Sequence, residues 1–243
     1  TQALASENKL IRLSYYSENS GLTDVFTMAD QRDGPQKVAA LGLGIGVVAC
    51  YPKHGRHFDF FEIDPAVISV AKNRDMFTYL SDCGSPYTMI LGDARIQLAK
   101  KTDAAYDVIV LDVFSSDSIP IHLLTREAFE IYREKLKPGG IITINISNRY
   151  LDLKPVIAAA AQEVGMNAYN KLSRKGSIKG LHYNEADFMA LVDTPIDGDY
   201  LLSKGWKAVA PMENFRLWTD QYSNIISRFK IFSPTDSLNT AEP

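Results

Sequence analysis

The chain has 243 residues, of which 46% are hydrophobic and 23% charged, a composition typical of a soluble globular protein. This length suits one large domain, or one domain with a small appendage. The formal net charge of −3 provides no general attraction to nucleic acid or to an anionic membrane surface. No apolar run reaches the roughly 20 residues of a membrane helix. We therefore predict no nucleic-acid partner and no direct membrane contact for this chain.

The two cysteines, Cys50 and Cys83, lack the spacing of a metal site or of a redox motif. Their scarcity indicates a reduced compartment, so we predict a cytoplasmic protein without a structural disulfide. The four histidines also lack metal-ligand spacing, and no metal is expected. Because the chain begins at Thr1 rather than Met, we leave open that it is a soluble part of a longer protein.

Strand-like and helix-like segments alternate along most of the chain. Residues 9–16 alternate apolar and polar, which predicts a short strand arm, and we assign residues 1–35 to this arm and a linker. Near-continuous apolar strands are predicted at 38–41, 58–61, 88–91, 107–111 and 141–146. Helices are predicted near 46–51, 65–73, 94–100, 123–136 and 153–164.

Apolar strands separated by helices are typical of a parallel sheet that is covered on both faces. We predict a doubly wound, mostly parallel Rossmann-like α/β sheet over residues 36–232, preceded by the small N-terminal β arm. A further strand is predicted at 187–192, beside 166–172. Residues 173–185, rich in Lys, Gly and Ser, are predicted to form a mobile loop. The polar residues 233–243 are predicted to be a disordered tail.

A glycine-rich turn directly after the first predicted strand is the first candidate binding segment. Gly42, Gly44 and Gly46 allow a tight turn, and they let the backbone approach a ligand where a side chain would clash. Glu62 ends the next predicted strand, where a carboxylate can accept hydrogen bonds from both hydroxyls of an adenosine ribose. The Gly-x-Gly-x-Gly spacing is not the dinucleotide pattern Gly-x-Gly-x-x-Gly. It therefore favours a nucleoside without pyrophosphate and disfavours a dehydrogenase.

Acids also end the third and fourth predicted strands. Asp93, followed by Ala94, can accept a hydrogen bond from an adenine amine, or can cap the helix that follows. Asp112 lies at the carboxyl edge of the sheet, where open α/β folds bind ligands. An acid there can take a proton from a nucleophile or hold a cationic amine. Asp117 is interpreted either as a second substrate-binding carboxylate or as a turn residue. Near the end of the chain, residues 218–224 are expected to pack in the core and to cap a helix.

These segments, in this order, resemble the spermidine synthase family, a branch of the class I S-adenosylmethionine methyltransferase fold. The resemblance covers roughly residues 38–164 and includes the segment 111–150. It implies aminopropyl transfer from decarboxylated S-adenosylmethionine to a small-molecule amine, with Asp112 as the base that deprotonates the amine. The predicted nucleoside-binding residues are Gly42, Gly44, Gly46, Glu62, Asp93 and Ala94.

The acceptor site is expected to include Asp117, together with Tyr15 and Tyr16 of the N-terminal arm. The family usually shows Asp-Ser-Ser-Asp, whereas here Val113 and Phe114 widen the spacing between Asp112 and Asp117. We therefore predict that putrescine is a poor acceptor and that a different amine, or methyl transfer to another small molecule, is preferred.

Two other functions remain open: S-adenosylmethionine-dependent methyl transfer to a small molecule, and a non-catalytic nucleoside-binding regulatory domain. The two enzymes differ at the donor. A carboxylate-bearing donor needs a cation or backbone donors near its amino-acid end, whereas a decarboxylated donor needs carboxylates there. The oligomeric state is also open, with a homodimer as one option.

Overall fold

The computed structural model describes residues 16–113, 120–148, 150–178 and 181–230. The predicted strand arm at 9–16 lies outside these residues except for Tyr16, and so do Tyr15, Asp117 and the tail. The strands are Gln36–Leu41 (β1), Arg56–Glu62 (β2), Tyr87–Leu91 (β3), Tyr106–Leu111 (β4), Leu136–Asn145 (β5), Asn167–Ser173 (β6), Gly176–Ile178 (β7), Leu181–Tyr183 (β8), Ala186–Val192 (β9) and Lys207–Val209 (β10). The α-helices are Gly21–Asp30 (α1), Pro65–Lys72 (α2), Tyr79–Asp82 (α3), Ala94–Ala99 (α4), Arg126–Lys135 (α5), Lys154–Glu163 (α6) and Pro195–Ser203 (α7).

Within the described residues, eight strands form one sheet in the order β10-β6-β9-β5-β4-β1-β2-β3. The strands β1 to β5 run parallel, whereas β9 is antiparallel to both β5 and β6, and β10 is antiparallel to β6. The chain moves outward from β1 to β3 and then returns to place β4 on the other side of β1. The crevice at this reversal is where open α/β sheets bind ligands. The structure confirms the doubly wound, mostly parallel fold.

Both faces of the sheet are covered, as the continuous apolar strands predicted. Side chains alternate along a strand, so Ala39 and Leu41 of β1 join one buried cluster, and Val38 and Ala40 join the other. The first cluster includes α5 and α6, and the second includes α1. This double burial fixes the register of the central strands, because a one-residue slip would exchange the two faces.

Helix α1 occupies part of the segment that we assigned to an arm and linker. Its first turn is capped by Ser20, whose hydroxyl accepts from the amide of Thr23 at 3.4 Å. Leu22, Val25 and Phe26 are buried against the sheet. The sequence analysis did not anticipate this helix.

Two further expectations were wrong. Residues 173–185 include the antiparallel pair β7 and β8, with Gly176 opposite Tyr183, rather than only a loop. Cys50 and Cys83 form a disulfide, which we had predicted against. Spacing along the chain could not show that the 3-10 helix Val47–Cys50 and helix α3 meet in space. With the bond formed, cysteine content no longer argues for a reduced compartment. None of the described helices combines the length and the apolar character needed to cross a membrane.

Candidate active site

A cavity of about 690 Å³ opens at the carboxyl ends of the parallel strands. Its position is the one that strand order predicts for a ligand site. The described residues that line it are Tyr16, Gly42, Gly44, Phe61, Glu62, Ile63, Asp64, Val67, Asp93, Ala94, Asp112, Val113, Pro120, His122, Leu123, Asn145 and Ser147. Most of the predicted binding residues are thus in one place, although they come from four different strand ends and from the N-terminal segment.

The glycine turn shapes one wall of this cavity. Gly42 has φ +93°, and a Cβ there would lie 2.1 Å from the carbonyl oxygen of Asp112, so no side chain fits. Gly44, at φ +53°, faces open space and lines the cavity. Gly46 does not line it, because a Cβ there would meet Leu80 of α3 at 2.7 Å. Gly42 and Gly46 therefore permit close packing, and Gly44 presents bare backbone to a ligand.

Glu62 is held at the end of β2 by two loop amides. Its Oε2 accepts from the amide of Leu43 at 3.1 Å, and its Oε1 accepts from the amide of Asp64 at 3.0 Å. A carboxylate has about four acceptor positions, so each oxygen keeps one for a ligand. The carboxylate is thus oriented before a ligand arrives, as a bidentate contact to a ribose diol requires.

Asp93 takes the capping role that the sequence allowed for it and also contacts a histidine, while its role toward adenine stays a prediction. Its Oδ1 accepts from the amide of Ile96 at 2.9 Å and caps α4, while its Oδ2 lies 2.9 Å from Nε2 of His122. His122 belongs to the 3-10 helix Ile121–Leu123 and lines the cavity. From the sequence we noted only that His122 lacks the spacing of a metal ligand. Ala94, the next residue, is buried in the cavity wall.

Asp112 is held by a hydrogen-bond donor on each oxygen. Nδ2 of Asn145 donates to Oδ1 at 3.0 Å, and the hydroxyl of Tyr16 donates to Oδ2. The amide of Ser147 donates to Oδ1 of Asn145 at 2.9 Å, which leaves the Asn145 nitrogen to face Asp112. Burial raises the pKa of Asp112 above its usual range, and the two donors counter only part of that rise. A partly buried carboxylate with a raised pKa is suited to accepting a proton.

Tyr16 reaches Asp112 because its own segment is anchored. The hydroxyl of Tyr51 donates to the carbonyl oxygen of Tyr16 at 3.1 Å, and the Tyr51 ring stacks on Phe26 of α1 at 4.4 Å. The predicted proximity of Tyr16 and Asp112 is therefore present, through the hydroxyl rather than through an aromatic face alone. Tyr15 and Asp117 lie outside the described residues, so their roles stay predictions.

The segment around Trp218 supports the side of the cavity that carries Asp93. Trp218 is buried, and its carbonyl oxygen accepts from the amide of Arg126 at 2.8 Å. Both oxygens of Asp220 accept from Arg95 of α4 at 2.7 Å, and Oδ1 also accepts from Thr125 at 2.8 Å. This bidentate pair fixes the start of α5 against α4, which carries Asp93.

Sequence reasoning missed Asn145, Ser147 and His122. Asn145 ends β5, so the sheet-edge rule that selected Asp112 would also have selected it. His122 carried no such signal, because its position depends on a 3-10 helix of only three residues. Among the described residues, no three His, Cys, Asp or Glu side chains are grouped to hold a metal ion.

Comparison with known proteins gives the family. The family model for the spermine/spermidine synthase domain matches residues 17–170, more than half of the chain. The chain belongs to the spermine/spermidine synthase family. This confirms the resemblance in the sequence motifs, and it places the chain in a family of transferases, as predicted.

Two curated relatives match part of the chain. A polyamine aminopropyltransferase of Vibrio vulnificus is 33% identical over 118 residues, which are 46% of this chain and 38% of that protein. Putrescine N-methyltransferase 1 of Nicotiana tabacum is 32% identical over 139 residues, which are 53% of this chain and 36% of that protein. The chain thus spans well under half the length of either relative.

A solved structure supports the fold. The crystal structure of a probable spermidine synthase from Corynebacterium glutamicum has a TM-score of 0.60 to this chain at 19% identity. The match covers 83% of this chain and 81% of that one. At this identity the likeness shows the class I methyltransferase-like α/β fold and no more.

Proposed function

We propose that this chain transfers an aminopropyl group from decarboxylated S-adenosylmethionine to a small amine. The observation that carries the proposal is the charge of the cavity wall. Its described lining includes the carboxylates of Glu62, Asp64, Asp93 and Asp112, and no described lining residue is Lys or Arg. Such a wall favours cationic ligands, because carboxylates stabilise ammonium groups through charge-assisted hydrogen bonds.

The two possible donors differ in the tail that this wall would meet. Decarboxylated S-adenosylmethionine ends in an ammonium group, which the acids accept. S-adenosylmethionine adds a carboxylate, which finds no Lys or Arg among the described lining residues and adds a like charge. The adenosyl part is common to both, and Gly44, Glu62 and Asp93 are the residues we assign to it.

The proposed chemistry is a displacement at carbon. Asp112 takes a proton from the acceptor ammonium, which frees the nitrogen lone pair. The nitrogen then bonds to the methylene carbon attached to the sulfonium as that carbon–sulfur bond breaks. Sulfur keeps the bonding electrons and leaves as neutral methylthioadenosine. The leaving group is already good, so positioning and charge placement supply most of the rate.

Tyr16 and Asn145 contribute to this step through Asp112. Their two donors hold the carboxylate in one orientation and stabilise its charged form. Burial acts in the opposite direction and raises the pKa of Asp112, which strengthens the carboxylate as a base. The hydrogen bonds therefore favour the ionised carboxylate that can accept a proton, and burial makes that carboxylate more basic.

The proposal is tested by offering both donors with a panel of amines of graded length and charge. We expect aminopropyl products from the decarboxylated donor, and at least about a hundredfold loss of turnover in Asp112→Asn. Asp107→Asn is a matched control, since Asp107 lies near the amino end of β4, whereas Asp112 follows the carboxyl end of the same strand. Faster methyl transfer from S-adenosylmethionine, or nucleoside binding without turnover for every pair, would contradict the proposal.

A further inference from the structure

The disulfide between Cys50 and Cys83 lies close behind the glycine turn. Cys50 ends the 3-10 helix Val47–Cys50, which begins directly after Gly46. Cys83 follows helix α3. The bond therefore joins two short elements, and the first of them continues the turn that shapes the cavity.

Two separate contacts connect this bridge to Tyr16. The Tyr16 side chain packs against a small buried cluster made of Val47, Cys50 and Tyr79, so it touches the bridged elements themselves. Tyr51, the residue after Cys50, donates its hydroxyl to the carbonyl oxygen of Tyr16 at 3.1 Å. One contact fixes the ring and the other fixes the backbone.

We propose that the Cys50–Cys83 disulfide is a redox modification site that holds Tyr16 against Asp112, so that reduction by a thiol slows the transfer reaction. The kinetic part of this inference rests on the proposed function. The Tyr16 hydroxyl donates a hydrogen bond to the carboxylate of Asp112. Any loosening of the segment that carries Tyr16 therefore weakens a hydrogen bond to the base. Of the residues assigned to the adenosyl part, Gly44 belongs to the turn itself. Glu62 and Asp93 lie at other strand ends, where the amides of Asp64 and Ile96 support them independently of the bridge.

The modification is a two-electron thiol–disulfide exchange. Cys83 is partly exposed whereas Cys50 is buried, so an external thiolate attacks the Cys83 sulfur and Cys50 leaves as a thiolate that takes a proton. A second external thiol then attacks the mixed disulfide. The products are two cysteine thiols and one oxidised disulfide of the reductant, so electrons and protons balance. A dithiol supplies both thiols in one molecule.

Reduction is expected to loosen this region rather than unfold it. The hydroxyl of Ser85 donates to the carbonyl oxygen of Ala49 at 2.9 Å, which joins the same two elements without a covalent bond. Leu80 of α3 also packs against Gly46. These contacts keep α3 near the turn, while the loss of the bridge increases the freedom of Tyr51 and Tyr16.

The test compares wild-type protein before and after treatment with a dithiol, with the thiol state measured by alkylation and mass. We expect kcat to fall by up to about tenfold, the lower end for a lost hydrogen bond to a charged group, and to recover on reoxidation. The calorimetric affinity for methylthioadenosine should fall by a smaller factor than kcat does, because Glu62 and Asp93 keep supports outside the turn. The Cys50→Ala/Cys83→Ala variant should not respond to the dithiol. Tyr16→Phe should not respond either, because the contact that reduction loosens is already gone.

An unchanged kcat in fully reduced wild-type protein would overturn the inference, as would an equal loss of kcat in reduced Tyr16→Phe. Hydrogen exchange gives a readout that needs neither turnover nor a variant. Backbone amides of residues 16–23 and 47–51 should exchange faster after reduction, and equal protection in both states would also overturn the inference. Absence of turnover in the oxidised protein with every donor and amine would count against the proposed function alone.

Discussion

Tyr16→Phe is the most direct test of how the base is controlled. The change removes the hydroxyl that donates to Asp112 and keeps the ring, which packs with Val47 and Tyr79. Of its donors among the described residues, Asp112 then keeps Asn145. Because the ring remains, the fold around the glycine turn should be preserved, and the change should be confined to the carboxylate.

The magnitude follows from the energy of one hydrogen bond. A hydrogen bond to a charged group contributes about 1.5–3 kcal/mol. One pKa unit corresponds to about 1.36 kcal/mol, so the pKa of Asp112 should rise by about 1–2 units. The sign is upward because the donor stabilises the ionised form, and burial, which already raises the pKa, is then less opposed. Among the described residues, only burial and the donors Tyr16 and Asn145 account for the shift.

The assay is the pH profile of kcat/KM for the transfer reaction. Its acid limb should move to higher pH by the same 1–2 units or so. Tyr106→Phe is the matched control, since it removes a hydroxyl that donates to another carboxylate, Asp59, and Tyr106 lies at the start of β4, away from Asp112. Asn145→Ala removes the other donor and should also move the acid limb upward. An unmoved limb in a folded Tyr16→Phe protein would refute the assignment of Asp112 as the titrating base.

Four further outcomes are expected. Glu62→Gln should weaken methylthioadenosine by about 1.5–3 kcal/mol in calorimetry, because a charge-assisted contact to the ribose is lost; unchanged affinity would remove the ribose assignment. Because burial raises the pKa of Asp112 in the folded state, ionised Asp112 lowers the free energy of unfolding at pH values above that raised pKa. It has no such effect at pH values below the pKa of Asp112 in the unfolded chain. Asp112→Asn should therefore abolish turnover without lowering Tm at neutral pH. Loss of the Cys50–Cys83 bridge, which closes a separation of 33 residues, should lower unfolding free energy by about 3–4 kcal/mol in denaturant titrations. Putrescine should be a poor acceptor in a direct comparison with other amines. A catalytic efficiency with putrescine of about 10⁴ M⁻¹s⁻¹ or more would contradict this.

The parallel half of the sheet was predictable because each strand carries its own signal. Residues 38–41 and 108–111 are apolar throughout, and each is followed by Gly or Asp at the carboxyl end. Local patterning of this kind needs no knowledge of the tertiary fold. The same reasoning placed Glu62, Asp93 and Asp112 at one edge, and the cavity lining contains all three.

The parts that sequence reasoning missed depend on contacts between distant segments. Helix α1 has a cap at Ser20 and apolar residues at helical spacing, but a strand-like pattern just before it directed the interpretation toward an arm. The disulfide brings together residues that are far apart in sequence and lie on two short elements without periodic signals. Strands β7 and β8 are three residues each, too short for an alternation to stand out from a polar loop.

The position of the base shows why its chemistry depends on the whole fold. Asp112 ends β4, and its backbone amide donates to the carbonyl oxygen of Leu41 at 2.8 Å, so the ends of β1 and β4 meet. That meeting is possible only because Gly42 has no side chain. Tyr16, from the segment before α1, and Asn145, at the end of β5, then hold the two carboxylate oxygens. A carboxylate so enclosed gains basicity from burial and orientation from its donors, and a change in any of these segments should alter proton transfer before it alters nucleoside binding.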